Sequence, residues 1–195
     1  GNFIWRLSTC LNFLGRSAAE IGRSSDLEAL VCDWGSDQPL HRELPLSPKA
    51  AEITRFILIP PDVAAAAQKD SPFPIPIVQN VAIRRAAGEY IAQTDSDIIF
   101  TPEALDKLFR ALEGETELGL DPERALLVSS RKHIPFEFSY PQPDIGETAD
   151  YLRRYGTMLP PDKLIPGIGT PSGLACMHRD LWTDSRGYDE RLIYW

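Results

Sequence analysis

Glu89-Tyr90-Ile91-Ala92-Gln93-Thr94-Asp95-Ser96-Asp97 carries the densest signal in the chain. Residues 89–94 read as a short strand, and the chain leaves its end with Asp95 and Asp97 on one side, because side chains two apart share a strand face. Two hard oxygen ligands on one side suit Mg²⁺ or Mn²⁺, ions that bind a diphosphate through a few carboxylates and keep water in their other positions. The same residues also suit a solvated turn leading into a helix at Thr101-Pro102-Glu103.

Upstream, Leu27-Glu28-Ala29-Leu30-Val31-Cys32 is a second strand candidate, and it runs into the acidic, glycine-containing turn Asp33-Trp34-Gly35-Ser36-Asp37. Residues 80–89 read as an amphipathic helix stopping at Gly88, just before the strand that carries the aspartates. Strand, crossover helix and strand, with acids at the strand ends, is the pattern of a parallel α/β sheet whose ligands lie outside the carboxyl ends of its strands. The fold expected is a three-layer α/β/α sandwich with a mostly parallel central sheet.

The other elements follow the same rules. Ile4, Leu7, Leu11 and Leu14 have helical spacing, with Arg6 elsewhere around the turn and Gly15 near the expected end. Arg55–Ile59 is a third strand, closed by Pro60-Pro61. Residues 60–77 read as a long loop in which Pro72, Pro74 and Pro76 oppose helix. Thr101 as cap and Pro102 in the first turn open a helix with an apolar stripe at Leu105, Leu108, Phe109 and Leu112, ended by Gly114. A buried strand is expected over 125–130 and a helix near 149–155, flanked by loops over 133–147 and 159–172. Gly167 to Gly173 reads as a mobile flap or a plain connection.

Several side chains are candidates for chemistry. Asp33, at the end of a parallel strand, can accept hydrogen bonds from a base or a ribose hydroxyl, or simply make a turn with Gly35, Ser36 and Asp37. Trp34 stacks or packs. Asn80 and Arg84, four apart, share a helix face opposite Val78, Val81, Ala82 and Ala86, and an arginine there would neutralise a diphosphate through charge-assisted bonds. The alternative for Arg84 is a solvated surface position. His133 and His178 are lone histidines, read as hydrogen-bonded structural residues, with His178 the lesser option of a third metal ligand.

This order of elements resembles the family 2 glycosyltransferases of the glycosyltransferase A fold, whose members carry a strand ending in Asp-x-Gly-Ser, a helix reading Asn-x-Ala-(x)n-Ala-x-Gly-Glu, and an Asp-x-Asp. Gly187-Tyr188-Asp189-Glu190 looks like their Gly-(Phe/Tyr)-Asp-Glu element, so the likeness runs from residue 27 to residue 190. The resemblance implies a Rossmann-like sheet and metal-dependent transfer of a sugar, with inversion, from a UDP- or GDP-linked donor to a saccharide or other hydroxyl acceptor. It implies Asp33, Ser36, Asn80, Arg84 and Asp95 at the nucleotide sugar. Asp97 would be the main ligand of Mn²⁺ or Mg²⁺, and Asp95 would touch ribose, or the metal through water. The cation would stabilise the departing nucleoside diphosphate.

Transfer with inversion also needs a carboxylate to deprotonate the acceptor. Asp189 and Glu190 are the candidates, the alternative being a loop that caps the next segment. In the relatives this element is followed by Trp-Gly-x-Glu-Asp, whose acidic pair holds the base. Trp195 stands where that motif would begin, and a first strand is expected before the opening helix, so the 195 residues read as one catalytic domain incomplete at both ends. Two rivals stay open: a sugar-nucleotide nucleotidyltransferase, which normally needs a glycine-rich basic loop, and a non-catalytic nucleotide- or carbohydrate-binding domain.

Composition narrows the classes. An apolar fraction of 43% and a charged fraction of 25% are globular values, and 195 residues suit one domain with a real core. The formal charge of -8 argues against a nucleic-acid partner. Cys10, Cys32 and Cys176, odd in number and widely spaced, fit buried thiols in a reducing compartment better than disulfides or a zinc site. No apolar run reaches the ~18 residues of a membrane span. A cytoplasmic protein is expected, working where required at the inner face of a membrane.

Overall fold

The computed structural model describes residues 2–68, 71, 73–115, 119–129, 131–138, 142–160 and 173–192. In chain order these residues form α1 (Phe3–Glu20), β1 (Ala29–Trp34), α2 (Leu40–Glu43), α3 (Pro48–Ile53), β2 (Thr54–Ile59), α4 (Pro61–Ala67), α5 (Ile75–Ile83), β3 (Tyr90–Thr94), α6 (Pro102–Leu112), β4 (Leu127–Ser129), α7 (Ile145–Tyr155), β5 (Leu174–His178) and α8 (Arg179–Asp184).

The chain is mixed α/β, but the expected three-layer sandwich around a mostly parallel central sheet is not formed. β1 and β2 make a two-stranded parallel sheet in which Ala29 faces Thr54 and Trp34 faces Ile59. The second sheet has the order β3-β5-β4, with both outer strands antiparallel to β5; Tyr90 pairs with His178 and Leu127 with Cys176. The side chains show why. Strands of a parallel sheet are covered on both faces, whereas these strands alternate: Ile91 is buried between exposed or half-exposed neighbours, and Leu58 and Val128 are 47% and 58% exposed. Gln93 and Thr94, polar and close to the strand end, already belong to a sheet with one wet face.

Helix α1 packs on the first sheet. Leu7 and Leu11 form a core with Leu44, against which Ile4, Leu40, Ala29, Val31 and Phe56 pack. The same helix runs past α6 and α7, and Ser17 Oγ donates to Phe100 O at 2.8 Å. It continues beyond Gly15, where the sequence suggests a stop. The missing side chain serves packing instead: a Cβ at Gly15 would lie 2.6 Å from Ala50 N, so only glycine lets α3 approach this closely.

The segment 60–77 is not the loop expected. Pro61 and Pro76 fall in the first turns of α4 and α5, where a helix needs no N–H from its residues. Helix α5 consequently starts and ends earlier than residues 80–89, and Gly88 lies outside it. Helix α7 starts at Ile145 rather than near 149, because Asp144 and Glu147 form a reciprocal capping box. Thr101 caps α6 as expected, accepting from Ala104 N at 3.3 Å.

Candidate functional site

The turn after β1 is built on Asp33. Its side chain is 3% exposed and accepts from Leu40 N at 2.8 Å and Ser36 N at 3.3 Å. The carboxylate thereby shapes its own turn, as aspartates at such positions do. A carboxylate offers about four acceptor sites, so these two bonds leave lone pairs unused. Beside it, the indole N–H of Trp34 is buried without a hydrogen-bond partner, an orphaned donor of a kind that is uncommon in native interiors.

Asp95 and Asp97 stand at the other centre, in the exposed turn beyond β3. Each is held by an arginine from a distant element. Arg6 Nη1 on α1 meets Asp97 Oδ2 at 2.7 Å, and Arg131 Nη1, after β4, meets Asp95 Oδ2 at 2.8 Å. The strand end is fixed by Thr94 Oγ1, which donates to Gly173 O at 2.7 Å. Gly173 N in turn donates to Ser129 O at 3.1 Å. A side chain on Gly173 would press on Arg131, the Cβ lying 3.0 Å from the Cβ of that arginine. The remainder of the flap suggested by the sequence, residues 167–172, lies outside the described residues.

Helix α1 relates the two centres. Leu40, whose N–H binds Asp33, packs on the Leu7–Leu11 core, while Arg6 on the same helix reaches Asp97. Cys10, one turn after Arg6, feels the same group: burial first, and then Asp97, push its thiol up to about 12, with Arg6 opposing.

The third element is the Gly187–Glu190 loop. Asn80, 2% exposed on α5, donates to Tyr188 O and Glu190 Oε1, each at 2.9 Å, and accepts from Tyr188 N at 2.8 Å. Its amide is thus spent inside the fold. Tyr188 Oη reaches Gln93 Oε1 at 2.9 Å, two residues before Asp95. Arg84 is 65% exposed and lies 3.6 Å from Glu190 Oε1. Asp189 is clamped by Arg191, whose Nη2 is 2.6 Å from Asp189 Oδ2, and this hydrogen bonding holds the Asp189 carboxyl down at about 2. A shallow apolar groove of about 270 Å³, lined by Ile75, Pro76, Gln79, Tyr188, Asp189 and Leu192, adjoins the loop.

His178 takes no part. It pairs with Tyr90, at the end of β3 opposite to Asp95, about 17 Å away by strand rise. Its Nδ1 accepts from Asp180 N at 3.2 Å and caps α8.

Among the described residues no group of three or more His, Cys, Asp and Glu side chains could hold a metal ion. Asp95 and Asp97 are two exposed carboxylates, each already paired with an arginine. Two exposed carboxylates suit an ion that takes its remaining ligands from phosphate and water. Arg6 and Arg131 are the residues that sequence reasoning missed. Arg6 sits in a stretch whose apolar spacing announces only a packing helix, and the pairing of either arginine with an aspartate is a tertiary event. No family model matches the sequence, and a search of curated proteins finds no match.

Proposed function

We propose that this chain binds a nucleotide-diphosphate sugar with Mn²⁺ or Mg²⁺ and transfers the sugar to an acceptor hydroxyl. The observation that carries the reading is the meeting of separate sequence elements: α5 is bonded through Asn80 to the Gly187–Glu190 loop, and Tyr188 of that loop reaches the strand that delivers Asp95 and Asp97. The reading stands on these local elements and not on sheet topology.

In this scheme Asp97 and Asp95 would hold the cation, which would supply positive charge against the leaving nucleoside diphosphate. The spare lone pairs of Asp33, with Ser36 in the same turn, meet the base or ribose. Arg84 lies on an exposed face where it can reach a phosphate. Glu190, oriented by Asn80, is the better placed of the two loop carboxylates for the acceptor. Asp189, held as a carboxylate at about 2 by Arg191, is a poor base, since an effective one is poised near the working pH. Among the described residues no helix is long and apolar enough to cross a membrane. The unpaired thiols of Cys10, Cys32 and Cys176 support placing the protein in a reducing cytoplasm.

A second reading follows from the clamped Asp189: a nucleotide-sugar-binding domain that does not turn over. Calorimetric titration of UDP and GDP, with Mn²⁺ and with chelator, separates the cases when combined with a donor-hydrolysis assay. Binding that requires both metal and Asp97 is expected, and Asp97→Ala should abolish it. Binding without release of nucleoside diphosphate from any donor would favour the binder. If neither nucleotide binds, both readings fall.

A further inference from the structure

Arg6 and Arg131 come from sequence positions 91 and 36 residues away from their aspartate partners and close on the same turn. Each pair is open to water: the side chains of Arg6 and Asp97 are 46% and 43% exposed, and those of Arg131 and Asp95 are 30% and 52% exposed. Ion pairs exposed to this degree add little net stability. Holding the fold together therefore explains neither ion pair well. The Thr94–Gly173–Ser129 hydrogen bonds already fix the strand end without them.

The charges suggest what the arrangement is for. Asp95, Asp97, Arg6 and Arg131 sum to zero. A divalent cation on the carboxylates would bring the cluster to +2, the complement of a diphosphate diester. Each arginine holds only the Oδ2 of its aspartate, and a cation arriving on the carboxylates would loosen that hold by charge repulsion. A planar guanidinium released in this way is a strong bidentate partner for phosphate oxygens. Resting on the donor-site reading above, we propose that Arg6 and Arg131 are diphosphate ligands, parked on Asp97 and Asp95 until a metal and the donor arrive together. Metal and diphosphate then bind cooperatively: the metal frees the arginines, and the phosphates supply the oxygen ligands that two aspartates lack.

The test uses the whole chain, its Arg6→Gln and Arg131→Gln variants, and Arg110→Gln as a control in a surface pair with Glu115. Free Mn²⁺ is followed by electron paramagnetic resonance, and UDP, GDP and inorganic pyrophosphate are titrated calorimetrically at saturating Mn²⁺. The two ligands should respond in opposite directions. Loss of either arginine should tighten binding of Mn²⁺ alone about threefold or more, because a competing cation is gone. It should weaken the diphosphates about tenfold, pyrophosphate included, because a charge-assisted contact is lost. Arg→Lys at each position should fall between these limits, since the charge stays and the fork goes. Diphosphate affinity within about twofold of wild type in both Gln variants, with tighter Mn²⁺ binding, would overturn the inference and leave the arginines as mere neutralisers. Failure of the wild-type protein to bind any diphosphate with Mn²⁺ would instead sink the donor-site reading, and this inference with it.

Discussion

Asn80 and Tyr188, 108 residues apart, exchange two hydrogen bonds: Asn80 Nδ2 donates to Tyr188 O at 2.9 Å and Tyr188 N donates to Asn80 Oδ1 at 2.8 Å. One buried amide thereby satisfies both main-chain groups of a residue in a loop. Because α5 packs on β1 and Tyr188 reaches Gln93 on β3, this contact bridges the two sheets. The neighbour Gly187 makes the approach possible. Its φ is +75°, and a Cβ there would collide with Asn80 Oδ1.

Asn80→Ala should therefore lower stability by about 1–3 kcal/mol, since it strands polar groups of the loop. Gly187→Ala should cost about 2–4 kcal/mol through its backbone strain and the collision with Asn80. The double variant should be less destabilised than the sum, as the collision partner is gone. Urea denaturation of the four proteins gives the coupling, and strict additivity would show that the contact is not formed in solution.

Gly15→Ala places two effects in opposition. Alanine gains roughly 1 kcal/mol of helix propensity over glycine. Its methyl would press on the Ala50 and Lys49 backbone at 2.6 to 2.8 Å, and overpacking of that kind costs about 1–3 kcal/mol. The backbone atoms of α3 cannot step aside as a side chain would, so the net change should be a loss, read as a lower melting temperature. A gain would mean that α1 and α3 sit farther apart.

The capping box at the start of α7 is exposed and local. Asp144→Ala should cost about 1 kcal/mol, and Asp144→Asn, which keeps an acceptor, only part of that. Circular dichroism across a denaturant series would detect the difference, and equal losses would argue for a charge effect in place of the cap.

The three thiols should be sluggish. Burial raises Cys10 to about 12, and Cys32 and Cys176 to about 11, from an ordinary 9.0. Alkylation by iodoacetamide at pH 8 should be far slower in the folded protein than in urea, because the thiolate is the nucleophile. A folded pKa raised above the unfolded one keeps its full contribution below about pH 9 and loses it as pH rises towards 11 to 12, where only the unfolded chain has shed its protons. Cys10→Ala should flatten the alkaline fall in the urea midpoint, and an unchanged slope would assign that fall to other groups.

Much of the local structure was legible in the residues. Apolar periodicity placed α1, Thr101-Pro102 opened α6, and the β-branched and apolar runs located β1, β2 and β4 to within a few residues. Proline misleads where its position in a helix matters more than its presence, as at Pro76, and Gly15 and Gly88 read as stops because their partners, Ala50 for the first and the hydrogen-bonding groups of Glu28 and Arg179 for the second, are distant in sequence.

The spacing of apolar and charged residues along the chain carries most of the local elements and the candidate acids. Tertiary structure alone decided which strands pair and in which direction, since main-chain hydrogen bonding is nearly blind to side-chain identity and the parallel sheet expected from element order did not form. Tertiary structure also decided the partners of the candidates: Asn80 turned inward to a loop 108 residues away, and Asp95 and Asp97 were given to arginines from opposite parts of the chain. Such pairings depend on distances across space, which no local pattern encodes.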